Sequence, residues 1–442
     1  MFWNIGVTAR NETRLFVLVT VLLSAILLPS FSLHPNLPNV RLDEILLFGL
    51  FGLNMLVLLI HRFKFNPEEK EQLRKQKKPL KLVCILFSFL LFSYVISNIY
   101  GVFFKAGSYT LRDVMELVTY FKYFLIITLA ISVELGEEEF SFLSKAFLTA
   151  VFLLMLFGWG QHLNLFNMNT WFSPYFNQVH WELMIVGNPA RVLGTFDNPN
   201  VFGTFTVITL AILVVRYYFS NSTGKFPILI FVLIGLVLKL EYLTISRTSL
   251  FGIALAFTIS SIWALIYYKR EKKVIIKIVA LFLLTLILFL TASSGFLNRV
   301  YEGLDFSTST SFQGHVERWE TAAGSIRDSL VFGWGTQKST MTTMVDNEYA
   351  LYTRRYGLIG LSVYLWFFLQ PFVLAVRKIS FRVKNSYATI FDNNSLLAAA
   401  FIVLLPSILV YNFLAGIFYN LQLMTILSVL IGLVYNLERE EY

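Results

Sequence analysis

Charge is what this chain has little of. Only 14% of its residues are Asp, Glu, Lys or Arg, while 56% are hydrophobic. A soluble domain carries about 25% charged residues, so an array of soluble domains is excluded. Cysteine is nearly absent. Cys84 stands alone inside an apolar run, which excludes an intrachain disulfide and every zinc or iron–sulfur spacing. No glycine-rich loop ends in Lys-Ser or Lys-Thr, so ATP-driven transport is not expected. No Asp-x-Asp pair occurs, which speaks against a metal-clamped nucleotide-sugar donor. No His/Cys cluster suggests a redox group, and no cofactor is expected. The first apolar run lacks a small-residue cleavage site and reads as a span rather than a cleaved leader.

What the chain does have is a series of apolar runs of about 20 residues, the length a bilayer demands. They lie near 14–33, 43–61, 81–100, 115–133, 142–164, 200–219, 226–245, 249–268, 274–292, 357–376, 395–413 and 416–436. The expected fold is therefore all-α: a polytopic membrane bundle of about twelve transmembrane helices with a large helical loop. It divides into a first group of spans over 1–290, a loop over 291–356 and a last group over 357–442.

The net charge of +9 sits mostly in loops, without the interleaved aromatics of a nucleic-acid surface. HRFKFNPEEKEQLRKQKKPLK after the second span, YKREKKVIIK after the eighth and RKISFRVK after the tenth all fall on one side. Basic residues mark the cytoplasmic side. Both termini are then cytoplasmic, and 291–356 is extracytoplasmic. A bacterial cytoplasmic (inner) membrane, crossed many times, is the expected location.

The 291–357 stretch is the longest without a span, and loops beyond about 12–15 residues are usually functional or disordered. This one is patterned. Val316, Trp319, Ala323, Ile326 and Leu330 recur at helical spacing, which predicts an amphipathic helix over 314–330, closed by Gly333-Trp334-Gly335. His315, Glu317 and Arg318 lie on it. Arginines on the extracytoplasmic side run against the charge bias, so they stand out as anion-binding candidates. Arg247 fills the very short turn between the seventh and eighth spans, at headgroup depth. It serves either as an interfacial anchor or as a bidentate phosphate clamp. Arg191 opens a turn at Asp197-Asn198-Pro199, and Arg318 borders the apolar stripe. Asp346-Asn347-Glu348 reads as an N-cap with a favourable helix-start charge, or as a source of the carboxylate that takes a proton from a sugar hydroxyl. Arg354 and Arg355 follow. Charges within the spans are few, Lys122, Lys239 and Glu241 being the main cases, where an ion-coupled carrier would bury more.

Five stretches together resemble the bacterial O-antigen polymerase and O-antigen ligase superfamily. They are RLDEILL at 41–47, RVLGTFDNPNVFG at 191–203, SRTSLFG at 246–252, ERW…FGWG at 317–335 and DNEYALYTRRYGLIGL at 346–361. Their order, the span count and the large loop match as well. The resemblance implies an inverting glycosyltransferase that uses neither metal nor nucleotide. Its donor would be a glycan on undecaprenyl pyrophosphate at the extracytoplasmic face. It implies that Arg191, Arg247 and Arg318 hold the pyrophosphate, with Arg354, Arg355 and Asn347 in support. Ligases usually carry a His-Asn pair where this chain has Asp346-Asn347. That departure favours a polymerase, joining lipid-linked repeat units of O-antigen, capsule or exopolysaccharide, over a ligase passing the glycan to lipid A core or protein. It leaves the base open among Asp346, Glu348 and His315, with Asp346 first. Donor and acceptor lipids, the bilayer, a chain-length regulator and a flippase are the implied partners. A lipid-linked oligosaccharide flippase is the competing transporter reading. It would show repeats and broken helices at mid-membrane, whereas the polar residues here gather at one face.

Overall fold

The computed structural model describes residues 11–30, 40–61, 67–176, 178–185, 190–219, 226–268, 271–292, 295–298, 301, 310–339, 341, 345–385 and 391–438. In chain order the helices are α1 (Asn11–Leu27), α2 (Leu42–His61), α3 (Pro67–Phe104), α4 (Leu111–Ser132) and α5 (Glu137–His162). Two short helices follow, α6 (Met168–Phe172) and α7 (Gln178–Ile185). Then come α8 (Pro199–Phe219), α9 (Phe226–Thr244), α10 (Arg247–Tyr267) and α11 (Lys272–Leu290). The last four are α12 (Thr310–Asp328), α13 (Glu348–Asn385), α14 (Asn393–Leu414) and α15 (Leu421–Asn436). The protein is an all-α polytopic membrane bundle. Each of the twelve apolar runs falls on one of these helices. Among the described residues nine helices are long and apolar enough to cross a bilayer.

The core explains which helices sit inside. α8 is buried along nearly its whole length, and α14 and α15 are almost as enclosed. α11 buries only Val274 and Leu281, so its apolar side chains face lipid. The RLDE motif is a structural clasp. Arg41 Nε pairs with Asp43 at 2.9 Å, and Lys122 Nζ reaches Asp43 at 2.8 Å and Glu44 at 3.0 Å. Arg41 also donates to the carbonyls of Ala25 and Leu28, closing the end of α1. Lys122 is thus a satisfied charge within a span.

The chain ends of α1, α3, α5, α9, α11 and α14 meet at one end of the bundle, here the loop end. Ser108 touches Ser339, Lys105 donates to the Asp328 carbonyl, and Thr195 donates to the Ile26 carbonyl. The predicted 314–330 helix is α12, which starts four residues earlier. It ends at Asp328, so Leu330 leaves the apolar stripe and is 47% exposed. Parts of the expected 291–356 loop, including 302–309 and 342–344, lie outside the described residues, as do 62–66 of the basic segment after α2.

α13 is broken at Gly357 (φ 63°, ψ −165°), a conformation essentially open to glycine alone. The break frees backbone groups that a continuous helix would pair. They are taken by the segment after α12: Trp334 N donates to the Arg354 carbonyl (2.9 Å), Gly335 N to the Arg355 carbonyl (2.8 Å), and Leu358 N to the Leu330 carbonyl (2.9 Å). A side chain at Gly333 would overlap the Arg355 carbonyl, and one at Gly357 would overlap that of Val331. The Phe-Gly-Trp-Gly motif is therefore a strap pressed backbone to backbone onto the kink. Gly357→Ala is expected to destabilise the protein by at least the ~1–3 kcal/mol of such backbone strain. The check is the thermal unfolding midpoint in detergent. An unchanged midpoint would show that the strap does not need the kink.

Candidate active site at the loop end

The arginines and carboxylates singled out in the sequence fall into groups around the end of α14. On one flank, Arg191 Nε donates to the Thr244 carbonyl (2.6 Å) and Nη2 to Asn200 Oδ1 (2.7 Å). Val192 N donates to the Leu243 carbonyl, so the segment before α8 lies along the α9–α10 turn. That turn is tight because Ile245 adopts φ 54°. Arg247 follows as the first, half-buried residue of α10, after the Ser246 N-cap. Asn198 makes the expected turn by accepting from Asn200 N, whereas Asp197 points inward to Ser30. Burial pushes the Asp197 carboxyl up from its ordinary value, against the Ser30 hydrogen bond.

On the other flank, α12 meets the start of α13. Asp346 accepts from Arg318, and its Oδ2 lies 2.9 Å from His315 Nδ1. The ring is not turned to donate straight along that line. The N-cap read onto Asp346 belongs to its neighbour: Asn347 Oδ1 accepts from Ala350 N at 3.0 Å. Asp346 is drawn away by the two cationic partners. Burial works to raise its carboxyl, but the close approach of His315 and the Arg318 charge outweigh it and hold Asp346 below the usual range.

Glu348 sits at the first turn of α13 with no exposed surface, against Gly416. It faces the loop between α14 and α15 rather than His315. Arg354 is buried, and its carbonyl carries the strap. Arg355 Nη1 lies 3.3 Å from Glu116 and its guanidinium stacks over Tyr419.

Glu116 is the residue the sequence reading missed. It lies on α4 with 1% exposure and takes five donors. Tyr120 (2.9 Å), Tyr419 (2.6 Å) and Tyr356 reach Oε1, while Lys338 (3.0 Å) and Arg355 (3.3 Å) reach Oε2. The Lys338 backbone N also donates to Asp113. The signal was present: Glu116 is a lone acid within an apolar run, and ionisable groups in spans mark functional or structural networks.

The end of α14 links these groups. The Tyr411 hydroxyl donates to the Asn200 carbonyl, next to Arg191, and Phe413 packs on Trp319, next to Arg318. Beyond it, Tyr419 reaches Glu116. Arg191 and Arg247 thus lie on one flank of α14 and a histidine–carboxylate pair on the other.

These features define a multi-pass helical membrane protein with a polar, arginine-bearing end beneath a helical loop. Residues 228–365 match the model of a family described as O-Antigen ligase. That match supports the resemblance of its motifs to the O-antigen polymerase and ligase superfamily of membrane enzymes. The matched stretch holds Arg247, His315, Arg318 and Asp346, and leaves Arg191 and Glu116 outside. No curated protein matches the chain.

Proposed function

We propose that the protein is a polysaccharide polymerase that joins lipid-linked oligosaccharide repeat units at the extracytoplasmic face and releases undecaprenyl pyrophosphate. A hydroxyl of the acceptor sugar attacks the anomeric carbon of the donor from the side opposite the pyrophosphate, so the centre inverts. The new C–O bond forms as the bond to pyrophosphate breaks, and the electron pair leaves with the phosphate. Arg191 and Arg247, with Arg318 at the loop, compensate that charge, and no metal takes part. Guanidinium suits the task because its planar fork meets phosphate oxygens two at a time. The acceptor proton goes to His315 Nε2, with Asp346 orienting the ring through Nδ1. The observation carrying this reading is the Asp346–His315–Arg318 contact. It puts a carboxylate at the position where ligases carry histidine and supplies a histidine from α12 instead. Asp346 is held ionised by its partners and makes a poor base. The basic-residue bias supports the extracytoplasmic orientation.

The test is purified protein supplied with lipid-linked repeat units alone. A ladder of polymer is expected. Product that forms only after lipid A core is added would replace this reading with the ligase. In the same assay Arg247→Ala is expected to lower turnover by about 10²–10³-fold, the usual cost of removing one donor to a developing anion. Arg247→Lys should restore little, because a point charge lacks the fork. Wild-type rates in Arg247→Ala would remove that arginine from the donor site.

A further inference from the structure

Between α5 and α8 lies a segment whose surface the reaction does not account for. Leu163, Leu165, Phe166, Trp171, Tyr175 and Val179 are all exposed, Phe166 to 92%, Trp171 to 75% and Val179 to 64%. The backbone goes out of its way to present them. Asn164, Phe166 and Asn167 take left-handed φ values of 48°, 53° and 57°. Asparagine tolerates that region, but a bulky phenylalanine there is an outlier. In water Phe166 would gain nothing for the strain.

The other side of the segment is firmly docked. Phe172 packs edge-on against Phe157 (4.8 Å), Asn169 Nδ2 donates to the Gln161 carbonyl (3.0 Å), and Phe176 stacks on Trp181. Gln161 makes two hydrogen bonds to Gly194, three residues from Arg191. The exposed side chains are therefore fixed in place relative to the arginines.

The membrane is the occupant that fits. The segment starts where one span ends and stops where the next begins, so it is tethered at the bilayer boundary. Like α5, which exposes Phe152 and Leu156, it presents apolar side chains outward. From Leu163 to Ala190 the chain has no lysine or arginine and one carboxylate, Glu182. Trp, Tyr and Phe near a polar boundary are the composition of an interfacial belt. Attraction to anionic headgroups is absent, so insertion rests on apolar area.

We propose that residues 163–176 and 178–181 form an interfacial platform seated in the leaflet at the loop end, with Phe166 and Trp171 beneath the headgroups. Resting on the polymerase reading, lipid-linked substrate then reaches Arg191 and Arg247 across this platform.

The full-length protein in phosphatidylcholine nanodiscs tests both parts. Phe166→Cys and Trp171→Cys, each in a Cys84→Ser background, carry a bimane label. Nitroxides are placed on the lipid headgroup or high on the acyl chain, and Arg327→Cys on α12 serves as the aqueous reference. Both platform sites should be quenched by the acyl nitroxide several-fold more than the reference. Quenching no stronger than at Arg327 overturns the platform, as does efficient cross-linking of Phe166→Cys between copies, which would assign the face to a second chain. For the route, a Phe166→Ser/Trp171→Ser variant should raise KM about tenfold for a long-chain polyprenyl donor and leave a short-prenyl, water-soluble donor unaffected. An equal effect on both donors overturns the route. The quenching is read without turnover, so loss of the polymerase reading would leave the platform standing.

Discussion

His315→Ala is expected to cut polymer formation by about 10²–10⁴-fold, the usual contribution of a positioned general base, while the protein still reaches the membrane and binds donor. The side chain is half-buried on α12 with its Nδ1 beside Asp346. A carboxylate on Nδ1 fixes the tautomer that leaves Nε2 as acceptor, as in hydrolase triads. Imidazole added to His315→Ala should recover part of the rate, a readout that loss of packing would not give. Asp346→Asn should also be slow, because an amide can donate to Nδ1 and turn the ring to the wrong tautomer. Asp346→Glu should retain more. Undiminished polymer from His315→Ala would return the base to Asp346 or Glu348. The pH behaviour carries a sign. Asp346 is held below its ordinary value, so the contact between α12 and α13 is in force above the unfolded aspartate range, near 3.9. It weakens only as pH falls through the lowered value. The helical loop should therefore stay closed at mildly acidic pH, as protease protection of α12 can show.

Glu116→Ala should be the most destabilising single change at the loop end, by about 3–5 kcal/mol, the cost of stripping the partner from a buried ion pair. The carboxylate is shielded from water and is the common partner of Lys338, Arg355 and three phenols. Removing it leaves the Arg355 charge largely buried. Glu116→Gln keeps a carbonyl oxygen for the tyrosines and loses only the charge, so its cost should be intermediate. Lys338→Gln removes the more exposed cation, with its side chain 25% exposed, and should cost least. The three thermal midpoints in detergent decide the matter. Equal midpoints for Glu116→Ala and wild type would mean that the network is not a stability element.

The spans were legible because a bilayer imposes one length and one polarity on each. The candidate arginines were legible because they oppose the charge bias. What escaped was set by contacts distant in sequence. Nothing near Glu116 announces Lys338 or Arg355, more than two hundred positions away. The N-cap was read onto Asp346 because Asp and Asn are equally good caps. Only the approach of Arg318 and His315 shows which of the two is free to cap. Leu330 fitted the helical period but lies past the last turn of α12. The break at Gly357 was invisible because Gly357 and Gly360 are ordinary residues in a membrane helix.

The strap on that break also acts as a length gauge. Its three backbone hydrogen bonds tie 330–335 to 354–358 at a fixed offset, whatever side chains are present. A change of length between Ser339 and Val345 leaves both partners of the tie in place, with Lys338 still on Glu116. The helical stretch from Glu348 to Tyr356 has no such freedom. One residue more or less turns everything before it by about 100° at 3.6 residues per turn, swinging Asp346 away from α12 while Arg355 stays on Glu116. Change in chain length should therefore be tolerated on one side of Asp346 and rejected on the other.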